Sequence, residues 1–237
     1  MPATPTAHEP EQVPAGQPSA AELQPGQPVP TRAPQPQPDS SGTARIAIAY
    51  HSGYGHTARQ AEAVAAGADA VPGATADLVS LDELTDDVWA RLKAADAIIF
   101  GAPTYMGSPS AVFKAFAEAS ADVWADNLGW RDKIAAGFTN SKAMSGDKLN
   151  SLVDFAVLAA QHGMIWVGLD IYPGWAESTA SIEDLNRLGS WLGAMAQSDA
   201  DLSAEKAPPE TDLRTAAALG SRVATVTLRH LRGSLAA

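Results

Sequence analysis

The sequence contains no cysteine, no long apolar run and few basic residues. Without cysteine the chain has no disulfide, no thiol nucleophile and no cysteine-ligated metal site, a composition that fits a cytoplasmic protein. No segment approaches the roughly 18 continuous apolar residues of a membrane-spanning helix, so we expect no membrane span. The chain has 16 lysines and arginines but 27 acidic residues, and no basic stripe is present to neutralise phosphates. We therefore expect no nucleic acid among the partners.

The first 43 residues differ in composition from the rest of the chain. They hold 11 of the 17 prolines and many glutamines, and they show no apolar periodicity. Such a segment buries too little apolar surface to offset its ordering entropy, which predicts a disordered Pro/Gln-rich tail over residues 1–43. It also lacks the apolar core of a signal peptide. Residues 44–237 are long enough for one domain with a substantial core.

From residue 45 onward, short β-type runs alternate with helical patterns. Strands are predicted at 45–50, 74–81, 96–104, 133–140 and 164–169. Helices are predicted at 57–69, at 83–93, after Ser108, at 146–162 and at 210–231, with an irregular stretch over 170–209. This alternation predicts an α/β fold with a flavodoxin-like five-stranded parallel sheet, in the order 2-1-3-4-5, and helices on both faces. Ligands of such sheets bind at the carboxyl ends of the first and third strands.

The loop "SGYGHT" (52–57, the first loop) follows the first predicted strand and opens the first helix. Gly53 and Gly55 allow a sharp turn and a close approach of the backbone to a ligand. Unpaired amides and the positive end of a helix dipole favour an anion there, and the loop holds no carboxylate to repel one. A phosphate is one interpretation, and a tight turn capped by Ser and Thr is the other. The pattern lacks the lysine of a Walker loop and the third glycine of a dinucleotide fingerprint.

Two further loops follow strands at the same predicted end of the sheet. The second loop, "GAPTYMGSPS" (101–110), places backbone amides beside an aromatic residue and a methionine, which suits a planar heterocycle. The third loop, "FTNSKAMSGDK" (138–148), is polar and built of small residues. One anionic pocket next to two loops for a planar ligand together suggest flavin mononucleotide (FMN).

The segments "YHSGYGHT", "IIFGAPTYMGSPSAVFKAF", "FTNS" and "QHGMIWVG" resemble the flavodoxin-fold quinone reductases of the WrbA type and related NADPH-dependent FMN reductases. The resemblance spans residues 45–232. It implies an FMN cofactor, NAD(P)H and a quinone-like acceptor as small-molecule partners, and a homo-oligomer, dimer or tetramer.

The same resemblance assigns roles to individual residues. The phosphate of FMN would be bound by the first loop, namely Ser52, Gly53, Tyr54, Gly55, His56 and Thr57. The flavin ring would be contacted by the second loop, namely Pro103, Thr104, Tyr105, Met106 and Gly107. The cofactor site would be completed by Asn140, Ser141, Lys142, Ala143, Met144, Ser145 and His162. Tyr54 matches a position that also meets the nicotinamide nucleotide, and Trp124 one that meets substrate.

Several of these side chains have a plain structural alternative. His162 ends a predicted helix, where an imidazole can simply complement the dipole. His56 can cap a helix, and the tryptophans other than Trp124 suit a core or an interface. No His, Asp and Glu have the spacing of a metal site.

The function predicted from the sequence is an FMN-dependent oxidoreductase that takes a hydride from NAD(P)H and reduces a quinone-like acceptor by two electrons. The alternatives are a flavodoxin-type one-electron carrier and a flavin-binding partner protein without turnover. A low-potential carrier is expected to crowd carboxylates around its flavin. Here acidic residues gather at 82–87, 122–132 and 199–212, and we expect these segments to lie away from the pocket.

Overall fold

A computed structural model describes the backbone of residues 43–235 and the side chains of residues 43–233. The predicted tail, except for its last residue, lies outside the described residues. Within them the strands are β1 (Ala44–Tyr50), β2 (Ala74–Ser80), β3 (Ala97–Tyr105), β4 (Ser108–Pro109), β5 (Ile134–Ser141), β6 (Ile165–Trp166) and β7 (Ala194–Gln197). The helices are α1 (His56–Asp69), α2 (Asp86–Ala94), α3 (Ala111–Ala119), α4 (Ala121–Ala125), α5 (Lys148–Gln161) and α6 (Glu210–Leu235). No helix in this part of the chain is long and apolar enough to cross a membrane.

The main sheet is parallel and runs β2-β1-β3-β5-β6. This is the predicted order, because β4 is a two-residue strand that only pairs back onto the end of β3. All five predicted strand positions are therefore occupied. The carboxyl ends of β1, β3 and β5 lie at one end of the sheet, called here the carboxyl end, and they lead into the three loops.

The fifth position of the sheet differs from the prediction of one strand at 164–169. Ile165 and Trp166 pair with the first two residues of β5, after which the chain leaves the sheet. The second half of β5, from Phe138 to Ser141, pairs instead with β7. The stretch 170–209 is thus not irregular throughout. β7 escapes sequence-based prediction because it is only four residues long and has no distinctive pattern.

Alternate side chains of the buried strands point to opposite faces of the sheet, and each face carries its own core. On one face, Ile46 and Ile48 pack with α1 and α6. Those helices approach so closely that a Cβ at Gly67 or Gly220 would strike the backbone of the other helix. On the other face, Phe100 packs with the aromatic residues Phe113, Phe116, Trp130 and Phe155 from α3, α5 and the segment before β5.

Candidate functional site

The first loop turns into α1 through Gly55, whose φ of 86° lies in the left-handed region. This residue stands at the N-cap position, and no acidic side chain occupies the first turn of the helix. The hydroxyl of Ser52 accepts from the amide of Ala58 at 3.0 Å. Within the described residues, the amides of residues 53–57 donate to no protein acceptor. A row of free amides at a helix N-terminus fits a phosphate group, and the two glycines of the loop let the phosphate approach closely. The first loop can therefore hold the phosphate of FMN.

The second loop lies directly against the first. The ring of Tyr105 meets the ring of Tyr54 edge-on, with centroids 6.3 Å apart, and its hydroxyl would clash with a Cβ at Gly53. Tyr54 is 80% exposed, and Met106 is fully exposed with a φ of 49°. These three side chains form a partly exposed surface beside the amide row. A flat ligand bound there would have one aromatic wall.

The third loop adjoins the second at Gly107. Asn150, from the first turn of α5, donates through Nδ2 to the carbonyl of Gly107 at 2.8 Å. The Cβ of Asp147 is 3.9 Å from the place a Cβ at Gly107 would take. The structure therefore brings the three predicted loops together in the order first, second, third along the carboxyl end of the sheet.

Two of the predicted contacts, Thr104 and Asn140, use their side chains inside the protein. The hydroxyl of Thr104 bonds to the hydroxyls of Thr139 at 2.8 Å and Ser151 at 2.7 Å, and it is buried. The side-chain oxygen of Asn140 accepts from Ser198 at 3.1 Å. These two side chains tie the second and third loops to α5 and to the segment after β7, so they support the loops from inside the protein.

The remaining residues of the third loop rest on polar and charged side chains that were not among the predicted site residues. Lys148 is fully buried and donates to the Ser141 hydroxyl at 3.1 Å and the Ala143 carbonyl at 2.8 Å. Gln197 donates through Nε2 to the carbonyl of Lys142 at 3.1 Å. The guanidinium of Arg187 lies 3.9 Å from the sulfur of Met144. One signal in the sequence could have indicated Lys148, because a cation is unfavourable in the first turn of a helix.

His162 lies at the opposite, amino end of the sheet. It follows the last residue of α5, and this helix runs back toward the start of β5. There the carbonyl of Gly163 accepts from the amide of Asp132 at 2.9 Å. The ring of His162 is buried, packs on Trp130 with centroids 4.5 Å apart, and bonds through Nε2 to the Ser120 hydroxyl at 2.9 Å. Burial lowers its pKa, which favours the neutral ring.

The hydrogen bonds around His162 define which of its ring nitrogens carries the proton. The hydroxyl of Ser120 donates to the carbonyl of Ala117 at 2.7 Å, so it accepts from His162, and Nε2 is the protonated nitrogen. Nδ1 is then a buried acceptor, without a partner among the described residues. Trp124 follows Ser120 by one turn and is 45% exposed. Within one chain, His162 and Trp124 therefore lie together, far from the three loops.

The expectation that the acidic segments lie away from the pocket is wrong for two of them. Asp82 Oδ1 lies 3.8 Å from Nε2 of His51, the residue that precedes the first loop. The segment 199–205 covers the first loop from another side. Nε2 of His56 bonds to the carbonyl of Leu202 at 2.9 Å, and a Cβ at Gly55 would lie 2.8 Å from that of Ala204. The reason is topological, because β2 and β7 both end at the carboxyl end of the sheet.

Comparison with known proteins gives one family and two kinds of relative. The sequence profile of the family described as NADPH-dependent FMN reductase matches residues 52–171. The chain is 43% identical to flavodoxin FldP of Pseudomonas aeruginosa, over 77% of this chain and 96% of the relative. It is 31% identical to an NAD(P)H dehydrogenase (quinone) of Geotalea uraniireducens, over 79% of this chain and 100% of the relative. Both kinds of name correspond to functions considered from the sequence.

A solved structure with 42% sequence identity is a flavodoxin, WrbA-like protein from Agrobacterium tumefaciens. It aligns with a TM-score of 0.60 over 79% of this chain and 99% of that chain. The predicted resemblance and the predicted flavodoxin-like fold are confirmed. The matched residues 52–171 begin at the first loop and include all three loops together with His162 and Trp124.

Proposed function

We propose that this chain, which belongs to the NADPH-dependent FMN reductase family, passes a hydride from NAD(P)H to FMN and then reduces a quinone-like acceptor by two electrons. Membership of the family makes it an NAD(P)H-dependent oxidoreductase with FMN as its cofactor. One observation carries this proposal. The family match covers the amide row of the first loop and the two loops beside it, which are the part of the structure that fits the cofactor. The nicotinamide nucleotides are intracellular reductants, so the proposal places the reaction in the cytoplasm.

In this proposal the protein binds and orients, while bound FMN supplies the hydride chemistry. The amides of residues 53–57 hold the phosphate. Tyr105 and Met106 bound one side of the flavin ring, and the exposed Tyr54 meets the nicotinamide nucleotide. The third loop closes the opposite side. Both flat substrates then use the same open face in turn, so the two half-reactions alternate.

A second candidate role is one-electron transfer in the manner of a flavodoxin. The observation that favours it is the approach of Asp82 and the acidic segment 199–205 to the first loop, because nearby carboxylates make a reduced, anionic flavin less favourable. The similarity to a protein named flavodoxin points the same way. The two roles differ in how the bound flavin responds to a nicotinamide nucleotide and to a quinone.

We predict that one equivalent of NADPH or NADH bleaches the visible absorbance of the FMN-loaded protein under anaerobic conditions. A benzoquinone added next is expected to restore that absorbance completely, because the hydride has been stored on the flavin. Stopped-flow absorbance follows both steps. Dithionite, which reduces any accessible flavin, is the control. A flavin that dithionite bleaches and neither nucleotide reduces would overturn the proposal in favour of the carrier role.

We also propose that the protein is a homo-oligomer, dimer or tetramer. The family resemblance assigns Trp124 and His162 to the ligand site, yet in one chain they lie at the far end of the sheet from the loops, so a second chain would have to supply them. Exposed aromatic residues near the split fifth strand, Tyr172 (85%), Trp175 (46%) and Trp191 (53%), offer a surface for association. Light scattering at low protein concentration should give a multiple of the chain mass of 24.5 kDa. A monomer mass would contradict this proposal.

A further inference from the structure

Lys148 combines two features that are each unfavourable for a cation. It is the first residue of α5, where the positive end of the helix dipole lies, and its side chain has no exposed surface. A lysine usually avoids both situations by extending its ammonium group into water. Here the ammonium group is instead directed at the third loop, where it donates to Ser141 Oγ and to the carbonyl of Ala143.

These two hydrogen bonds join Lys148, at the end of the third loop, to Ser141 and Ala143 in its middle. The loop returns to Lys148 through Gly146 and Asp147, both with positive φ. A Cβ at Gly146 would strike the Ser141 hydroxyl, so the loop is folded tightly around the ammonium group. The hydroxyl of Ser141 also donates to the carbonyl of Ala143 at 3.0 Å. The ammonium group of Lys148, the hydroxyl of Ser141 and the carbonyl of Ala143 are thus joined to one another by three hydrogen bonds.

We propose that Lys148 is a positioning residue for the cofactor, and that its buried ammonium group holds the third loop in the shape that receives the flavin. The inference rests on the proposed function, because the third loop belongs to the site proposed for FMN. Lys148 itself need not touch the flavin. Without the ammonium group the carbonyl of Ala143 and the hydroxyl of Ser141 lose a shared donor, and the loop is free to take other conformations.

The charged groups around Lys148 indicate how FMN binding should depend on pH. Burial lowers the pKa of Lys148 to about 8. The nearby carboxylate of Asp212 raises this pKa, and the guanidinium of Arg187 lowers it. Asp147 and Lys142, its other charged neighbours along the loop, are exposed to solvent. FMN brings a phosphate dianion and electron-rich carbonyls to the same end of the sheet, which favours the charged lysine. By linkage, FMN affinity should fall as the pH rises through about 8, and FMN binding should take up protons there.

We predict that Lys148→Met binds FMN about tenfold more weakly than the wild-type protein at pH 7, because the variant must order its third loop as the flavin binds. The chain offers a matched control in Lys133, a half-buried lysine at the amino end of the sheet. Its Nζ donates to the carbonyls of Lys93, at 2.9 Å, and Ala95, and burial lowers its pKa to about 8 as well. Lys133→Met should therefore keep the FMN affinity of the wild-type protein. Quenching of FMN fluorescence gives the dissociation constants.

Calorimetry adds a measurement on the wild-type protein that does not depend on a variant folding. FMN titrations at pH 8 in buffers of different ionisation enthalpy report the protons taken up. Up to about half a proton per FMN is expected when the pH equals the pKa of Lys148, near 8, because half of the molecules then carry the proton before binding. Lys148→Met should show no uptake, whereas Lys133→Met should show the wild-type value. A purely structural role for Lys148 would not move this quantity.

The inference is overturned if Lys148→Met binds FMN like the wild-type protein, if Lys133→Met weakens binding equally, or if wild-type binding at pH 8 takes up no protons. These results are separable from the fate of the proposed function. A wild-type protein that binds FMN with proton uptake but is not reduced by NAD(P)H would support the role of Lys148 and refute the hydride transfer.

Discussion

Gly55→Asp is expected to lower the affinity for FMN at least a hundredfold. The amides of residues 53–57 are free to bind a phosphate, and a carboxylate at position 55 would stand among them. Two like charges about 4 Å apart at an effective dielectric constant of about 20 repel by about 4 kcal/mol, and each 1.4 kcal/mol is tenfold in binding. The phosphate of FMN carries two charges, so the estimate is a lower one.

Gly55→Asn is the matched control for this substitution. Asparagine has the same shape as aspartate and accepts the positive φ of 86° best among residues with a side chain, yet it carries no charge. Both variants meet Ala204, whose Cβ would lie 2.8 Å from the new Cβ. The difference between their dissociation constants therefore isolates the charge. Equal affinities for FMN in the two variants would show that the phosphate does not bind in the first loop.

Asp212→Asn is expected to reduce the free energy of unfolding by about 3–5 kcal/mol, because it leaves a buried guanidinium without a counter-charge. Asp212 accepts from Arg187 at 2.7 and 2.8 Å and from the amide of Gln197 at 2.9 Å. The side chains of Arg187 and Asp212 are only 4% and 2% exposed. An asparagine has one acceptor oxygen and a donor group that faces the guanidinium. Urea denaturation measures the loss.

Asp170→Asn gives the same chemical change in an exposed ion pair. Asp170 contacts Arg222 at 2.5 Å, but these side chains are 69% and 36% exposed, so a loss below about 1 kcal/mol is expected. The double variant Arg187→Met, Asp212→Leu should recover much of the stability, since it removes both buried charges. A loss for Asp212→Asn as small as that for Asp170→Asn would mean that the buried pair contributes little.

The positions of the main strands and of the three loops could be predicted from the sequence because they depend on local patterns. β1 and β3 are continuous apolar runs bounded by polar loops, and such runs identify a strand buried on both faces. The parallel order then follows from the alternation with helices, and the loops at the carboxyl ends of the strands follow from the order.

The groups that support the loops could not be predicted, because their burial depends on residues far away in the chain. Arg187 and Asp212 are 25 residues apart, and in sequence each is typical of a solvated surface. The hydroxyl of Ser198 donates to Asn140, 58 residues earlier in the chain. Ser198 reaches that position because it follows β7, a strand too short to recognise in the sequence. The same missing strand, β7, explains why the acidic segment 199–205 was expected away from the first loop. A sequence pattern reports which residues are polar but not which of them meet.

The split of the fifth strand position has a consequence for the order in which the chain can mature during synthesis. A ribosome releases the three loops long before it releases residues 194–197, which pair with the half of β5 that leads into the third loop. Arg187 and Asp212, which form the buried ion pair behind that loop, also emerge after it. A nascent chain can therefore complete the amino end of its sheet early, while the cofactor pocket stays unfinished until α6 has begun to form. We therefore expect the flavin to be captured only after residues 194–212 have emerged and paired with the segments around the third loop.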